Sequence, residues 1–298
     1  MNSYIILSIS MLCALGASII KKHSTKKFNS RKETRFLFNS VLSLSCALSL
    51  LAISGIPKVS GFTLLLGLIF GVITATQFIA SLLAYESGPF SYTAVITSLS
   101  TIIPALSGYF IWGETIFPIQ LVGIGLMLLC FAFSVDFSKS EKKASRSWFL
   151  YVFAVFITTG FIGVMQKWHQ SSNYKDELDG FLIIAFFTAF LISSIGFFIT
   201  AYPKRKEEKS KRALVEFLTP LTVILMIFCG IFAAANNKMN LYLSGVMDSA
   251  IFFPVVNGGG MILSTVASVL IFKEKLGLQK LIGIGFGIVA VVLICNPF

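Results

Sequence analysis

The side chains in this sequence best placed to do chemistry are amides set inside apolar runs. Gln77 and Ser81 stand four residues apart, as do Asn236 and Asn240, with Asn237 between the latter two. Four residues is just over one helical turn, so each pair shares a helix face. Asn257 lies in "FFPVVNGGGMIL" (Phe252–Leu263) and is followed directly by Gly258, Gly259 and Gly260. An amide in hydrocarbon has no water to bond. Its partner must be a neighbouring helix or a solute in a wet cavity. The chemistry on offer is therefore recognition of a polar solute by hydrogen bonds. Three adjacent glycines cover nearly a full turn and allow a kink, close helix contact or carbonyls open to a ligand. Pro254 removes a backbone donor one turn earlier. We read this stretch as a weakened helix lining a cavity, with tight packing as the alternative. The expected substrate-binding set is Gln77, Ser81, Asn236, Asn237, Asn240, Asn257 and Gly258–Gly260. We expect Gln77, Asn236 and Asn257 to line one midplane cavity. For each amide the competing reading is polar glue between helices.

The acidic residues divide by position. Asp248 opens the ninth apolar run, where an acid suits the positive end of a helix dipole; capping and proton coupling are its two readings. Glu86, in the turn after the third run, carries the same ambiguity. Glu114 and Glu274 close the fourth and ninth runs and read as caps of the following helices or surface partners of lysines. Lys238 is expected to reach to the membrane interface.

Signs of catalysis are missing. The sequence holds no H-E-x-x-H, Walker A loop or G-x-S-x-G, and no convergent His, Asp or Glu cluster inside the apolar runs. The G-I-G-F-G run at Gly283 lies within an apolar helix with no strand before it, so it is no dinucleotide fingerprint. The five cysteines, Cys13, Cys46, Cys130, Cys229 and Cys295, form no C-x-x-C pair and read as packing residues. His23 and His169 stand alone near helix ends and read as interfacial side chains. No enzyme activity, cofactor or metal is expected.

The elements that must position these groups follow from composition. The chain has 298 residues, 56% hydrophobic and only 12% charged, where soluble domains carry about 25% charged residues. It reads as an all-α membrane protein. A span needs about 20 apolar residues, and ten candidates lie near 3–21, 37–54, 61–84, 91–111, 117–135, 148–166, 180–202, 218–237, 249–272 and 278–296. No lysine or arginine precedes the first run, and Lys21 and Lys22 follow it, the reverse of a signal peptide. The net charge of +11 does not indicate nucleic acid, because the basic residues sit in short segments between apolar runs. Twenty of the 24 fall in loops after odd-numbered spans, and Lys58, Lys167, Lys175 and Lys238 fall on the other side. Cytoplasmic loops carry the basic excess, so both termini are expected outside the cytoplasm.

An internal repeat organises the spans. "IWGETIFPIQLVGIG" (Ile111–Gly125) matches "IFKEKLGLQKLIGIG" (Ile271–Gly285) at an offset of 160, and "YESG" (Tyr85–Gly88) matches "YLSG" (Tyr242–Gly245) at 157. Aligning Gly71 with Gly230, at 159, places Gln77 on Asn236 and Ser81 on Asn240. The halves, 1–140 and 141–298, hold five spans each. An odd number turns the second half upside down, giving two inverted five-helix repeats in one membrane domain. Such folds place a solute site near the midplane and work by alternating access.

The stretches "SLSTIIPALSGYFIWGETIFPIQLVGIGLMLL" (Ser98–Leu129) and "VASVLIFKEKLGLQKLIGIGFGIVAVVLI" (Val266–Ile294) resemble the EamA-type members of the drug/metabolite transporter superfamily, over nearly the whole chain. The second copy departs in "FFPVVNGGG", whose proline comes earlier than Pro104 does in the first. The resemblance implies a ten-helix carrier of small metabolites, amino acids, nucleobases or drugs, and it often goes with cytoplasmic termini, against the charge count. The expectation is a secondary active transporter of a small organic solute in the plasma membrane of a bacterial cell, a monomer or homodimer, coupled to a proton or ion if at all. A channel or a non-transporting membrane protein is the alternative.

Overall fold

The computed structural model describes residues 2–28, 31–133, 145–204, 218–272 and 277–295; Glu274 lies outside them. Among these residues all regular structure is helical. The α-helices are α1 (Ser3–Phe28), α2 (Lys32–Ser54), α3 (Gly61–Ser87), α4 (Phe90–Leu99), α5 (Ile102–Trp112), α6 (Pro118–Phe133), α7 (Arg146–Gln170), α8 (Leu178–Ala201), α9 (Pro220–Val246), α10 (Ser249–Phe272) and α11 (Leu278–Cys295). Single 3₁₀ turns occur at Lys175–Glu177 and Tyr202–Lys204. Among the described residues nine helical runs are long and apolar enough to cross a membrane, with α4 and α5 together forming one of them, and α6 is a shorter apolar helix. This fits an all-α, multi-pass membrane protein.

Local chemistry sets the helix ends. Gly55 ends α2 with φ +69° and its N–H on Leu51 O at 2.9 Å. Gly113 ends α5 with φ +66°, and the next amide, Glu114 N, turns back onto Gly108 O at 3.0 Å. A left-handed glycine satisfies the last carbonyls in this way at no steric cost. The Ser145 hydroxyl accepts from Trp148 N and caps α7. Pro118 and Pro220 open α6 and α9, where a missing N–H does no harm.

Three elements differ from the sequence expectation. The fourth span is broken into α4 and α5. Pro104 has no N–H, and its ring crowds the Ser100 carbonyl four residues back. The chain tightens there, with Thr101 N on Ser98 O at 3.2 Å and Ile103 N on Ser100 O at 3.0 Å. The eighth span extends through the whole polar run to Val246 rather than ending near residue 237. The glycine-rich ninth span, by contrast, is one unbroken helix, α10, with Pro254 inside it.

The chain divides into two compact units, with boundaries between Leu7 and Ser8 in α1, Ala75 and Thr76 in α3, Asn173 and Tyr174 after α7, and Asn240 and Leu241 in α9. One unit comprises residues 8–75 and 174–240 and is built on the side-by-side packing of α2 and α8. Asn39 Nδ2 donates to Ser193 Oγ at 2.8 Å, and the Ser40 and Ser194 hydroxyls lie 2.7 Å apart. Ser45 Oγ and Cys46 Sγ donate to Ile227 O and Gly230 O on α9. Small and hydroxylated residues let helices approach where apolar surface gains nothing over lipid.

The other unit comprises residues 1–7, 76–173 and 241–298, with α6 packed along α11. Met127, Cys130, Phe131 and Ala290 form its core there. α7 packs on α4 and α5. Its Trp148 donates through Nε1 to Thr93 Oγ1 at 2.9 Å, and its Gly163 faces Pro104 of α5 and Phe253 of α10.

Candidate functional site

Each of the two polar pairs closes a side-chain bond across one helical turn, with the donor first in α3 and second in α9. In α3, Gln77 Nε2 donates to Ser81 Oγ at 3.3 Å. In α9, Asn240 Nδ2 donates to Asn236 Oδ1, also at 3.3 Å. Both bonds are long for N–H···O and weak accordingly. Asn237 turns the other way and donates to Ala233 O of its own helix at 2.8 Å. All five side chains are half-buried. Gln77 and Ser81 belong to the α6–α11 unit; Asn236, Asn237 and Asn240 belong to the α2–α8 unit.

The α9 face keeps unspent capacity. Asn240 Oδ1 is buried and accepts no hydrogen bond among the described residues. A buried acceptor left in that state carries a desolvation penalty of about 1–3 kcal/mol. Between the two asparagines, Lys238 reaches sideways to Asp179 in the first turn of α8, with Nζ 2.8 Å from Oδ1 and 2.9 Å from Oδ2. The expectation that Lys238 only reaches for the interface is corrected by this pair. Asp179 also sits at the N-terminal end of α8, where the dipole favours an anion.

Asn257 and its glycines separate by role. Asn257 is exposed and donates through Nδ2 to Phe253 O at 3.0 Å within α10. A Cβ at Gly258 would collide with Sδ and Cε of Met127, so Gly258 is a packing glycine. A Cβ at Gly260 would meet nothing within 4 Å. The run thus combines close packing on one side of the helix with open space on another. Asn257 and Gly258–Gly260 share the α6–α11 unit with Gln77 and Ser81.

Of the acidic candidates, Glu86 is half-buried in the last turn of α3. Asp248 is exposed, and its backbone carbonyl accepts from Ile251 N and Phe252 N at the start of α10. The carboxylate that serves this helix start comes from elsewhere. Glu114 Oε2 accepts from Ser249 N at 2.7 Å. Its Oε1 lies 2.5 Å from Lys167 Nζ, and that ammonium donates to Met247 O at 3.1 Å. Glu114 therefore caps α10, not α6, and its lysine is buried, not at the surface.

This knot escaped the sequence reading, as did His169. The histidine is wholly buried, with Nδ1 3.2 Å from Gln170 Nε2, and is no interfacial side chain. The one signal was local. Gln166, Lys167, His169 and Gln170 put four polar residues in five at the end of α7, and all four are buried.

Comparison with known proteins shows the fold alone. No family model matches the chain, and no curated protein matches it. Twenty-eight chains of solved structures match. One, described only as the crystal structure of a protein, superposes with a TM-score of 0.70 at 11% identity, over 98% of this chain and 96% of its own.

Proposed function

We propose that the protein is a secondary carrier of a small polar organic solute, neutral or zwitterionic, worked by alternating access as the EamA-type resemblance implies. The observation that carries the reading is the amide face of α9. Among the described residues Asn240 presents a buried acceptor without a partner, and Asn236 beside it commits only its oxygen. A donor–acceptor group such as an amide, a nucleobase edge or an amino acid head fits such a face. The flanking Lys238–Asp179 pair adds equal and opposite charge, which suits a solute with no net charge.

Two further features support it. The bonded pairs in α3 and α9 fall on positions related by one repeat offset, with donor and acceptor exchanged. Helices that pack in pairs, α2 with α8 and α6 with α11, are second with seventh and fifth with tenth in the span count. That is the pairing expected of two five-span repeats about a pseudo-two-fold axis. A transport cycle needs no covalent chemistry, so no residue is assigned a catalytic role.

The test is reconstitution in vesicles after a thermal-shift screen against amino acids, nucleobases and other metabolites has picked a ligand, since specific binding raises apparent stability. Saturable flux and counterflow without ATP are expected; linear, unsaturable flux points to a channel instead. Asn236→Ala should weaken transport affinity about tenfold, the loss of roughly one good hydrogen bond, with folding intact. An unchanged affinity together with lowered thermal stability would make the asparagines packing glue.

A further inference from the structure

Three chain segments of the α6–α11 unit converge on one buried ion pair. The turn after α5 brings Glu114, the last turn of α7 brings Lys167, and the α9–α10 turn brings the Met247 carbonyl and the Ser249 amide. The carboxylate and ammonium side chains are 11% and 8% exposed. Gly113, with φ +66°, swings Glu114 back over the end of α5. Gly108 leaves the room, because a Cβ there would collide with Glu114 Oε2 and crowd Ser249 Cβ. In a ten-span order these segments follow the fourth, sixth and eighth spans, so they lie on one side of the membrane.

We infer that the Glu114–Lys167 pair is the latch that closes this end of the unit in the transport cycle; the inference rests on the carrier reading. A buried ion pair is a poor way to add stability, because desolvation offsets most of the attraction. Well-packed neutral groups of similar volume often do as well or better. What charges do supply is a second stable state. When water enters, both ends regain hydration, so the opened form is compensated where an apolar contact would be penalised. Each charge is also tied to a helix end that suits it. The anion sits at the start of α10 and the cation in the last turn of α7. Breaking the pair frees the α9–α10 turn from α5 and α7 in one step. The Ser249 hydroxyl beside the carboxylate is buried and unpaired among the described residues, so the closed knot is not fully satisfied.

The test is hydrogen–deuterium exchange on the full chain in lipid nanodiscs, without solute. Its readout is the amides of the α5 end and of the first turn of α10. Glu114→Gln alone leaves Lys167 buried without its counter-charge, and Lys167→Met alone leaves Glu114 so; each should speed exchange about tenfold by favouring the opened form. The double variant E114Q/K167M keeps an oxygen to accept from Ser249 N and removes both charges. A latch requires it to exchange more slowly than the unaltered protein, because nothing is gained by opening. Exchange as fast as in the unaltered protein or faster overturns the inference, and so does slowed exchange with counterflow kept, because neutral groups that merely pack better slow exchange without stopping the cycle. If either single variant fails to fold, the double variant alone decides by the same sign. Counterflow separates the two readings. Slowed exchange with lost counterflow supports both. Slowed exchange when even the unaltered protein gives no counterflow of any solute removes the carrier and with it the latch's place in a transport cycle.

Discussion

α10 and the α4–α5 pair occupy corresponding places in the two halves of the sequence, each contains one proline, and only the pair is broken. The difference lies upstream of the proline. Pro104 follows a ten-residue helix, and the residues before it carry hydroxyls that bond back onto that helix's own carbonyls. Ser100 Oγ donates to Thr97 O at 2.6 Å, Thr97 Oγ1 to Thr93 O at 2.8 Å and Ser98 Oγ to Ala94 O at 3.1 Å. Such side chains offer the backbone an alternative to the helix and favour bending. Pro254 follows only Ser249, Ala250, Ile251, Phe252 and Phe253 in its helix. The Ser249 hydroxyl makes no bond among the described residues, and the other four have none. That short first turn is pinned by Glu114 on Ser249 N and by the Asp248 carbonyl. Pro254 lies in the second turn, where it leaves the Ala250 carbonyl without its helical donor, and the pinned start holds the helix unbroken through it. Proline alone does not break a membrane helix here; proline with a run of serine and threonine before it does.

The comparison is broken most severely at Gly163, where α7 meets both helices. A Cβ there would lie 2.7 Å from Pro104 Cβ and 2.9 Å from Phe253 Cε1. The proline ring cannot rotate away, so Gly163→Val should cost about 1–3 kcal/mol through overpacking, read as a clear drop in thermal midpoint in detergent. Stability unchanged within error would mean that α7 does not hold the two helices at this point.

Pro104→Ala comes next. It restores the missing donor and removes the clash, so α4 and α5 should join. Alanine is favoured over proline by about 3 kcal/mol in a helix interior, of which the relieved break returns a part. The expected outcome is a raised thermal midpoint and solute flux reduced several-fold, because a break that serves the cycle has been closed. A raised midpoint with full flux would make the break an incidental product of proline, and α4–α5 would differ from α10 in shape only.

The number of apolar helices was legible in the sequence, because hydrocarbon depth demands long apolar runs and these are easy to count. Their ends were less so. The run Asn236–Asn240 reads as the end of a span, yet α9 continues because each of its amide and charged side chains makes at least one bond, although the Asn240 oxygen stays open among the described residues. Asn237 bonds its own turn, Asn236 and Asn240 bond each other, and Lys238 finds Asp179. The i to i+4 pairing of the amides was legible, since it depends only on helical period. The break at Ser100 was hidden because a proline within a span does not by itself mark a break, as Pro254 inside α10 shows. The Glu114–Lys167 knot was hidden because its partners lie far apart in sequence and each has an ordinary surface role when taken alone.

The smallest effect is expected at Gly260, and it decides what the glycine run in α10 is for. Gly258 is pressed against Met127, itself 1% exposed and packed with Cys130 and Phe131. Gly260 has nothing within 4 Å of an added Cβ. Gly260→Ala should therefore leave stability unchanged or raise it by up to about 1 kcal/mol, the helix preference for alanine over glycine. Gly258→Ala, measured beside it, should lower stability, because Met127 must leave a filled site to make room. Two glycines half a turn apart would then answer the same substitution with opposite signs, as expected of a helix packed on one side and open on another. Equal losses at both positions would make the whole run a packing seam. α10 would then offer no open face near Asn257, and that asparagine would drop out of the candidate site while the α9 amides remained in it.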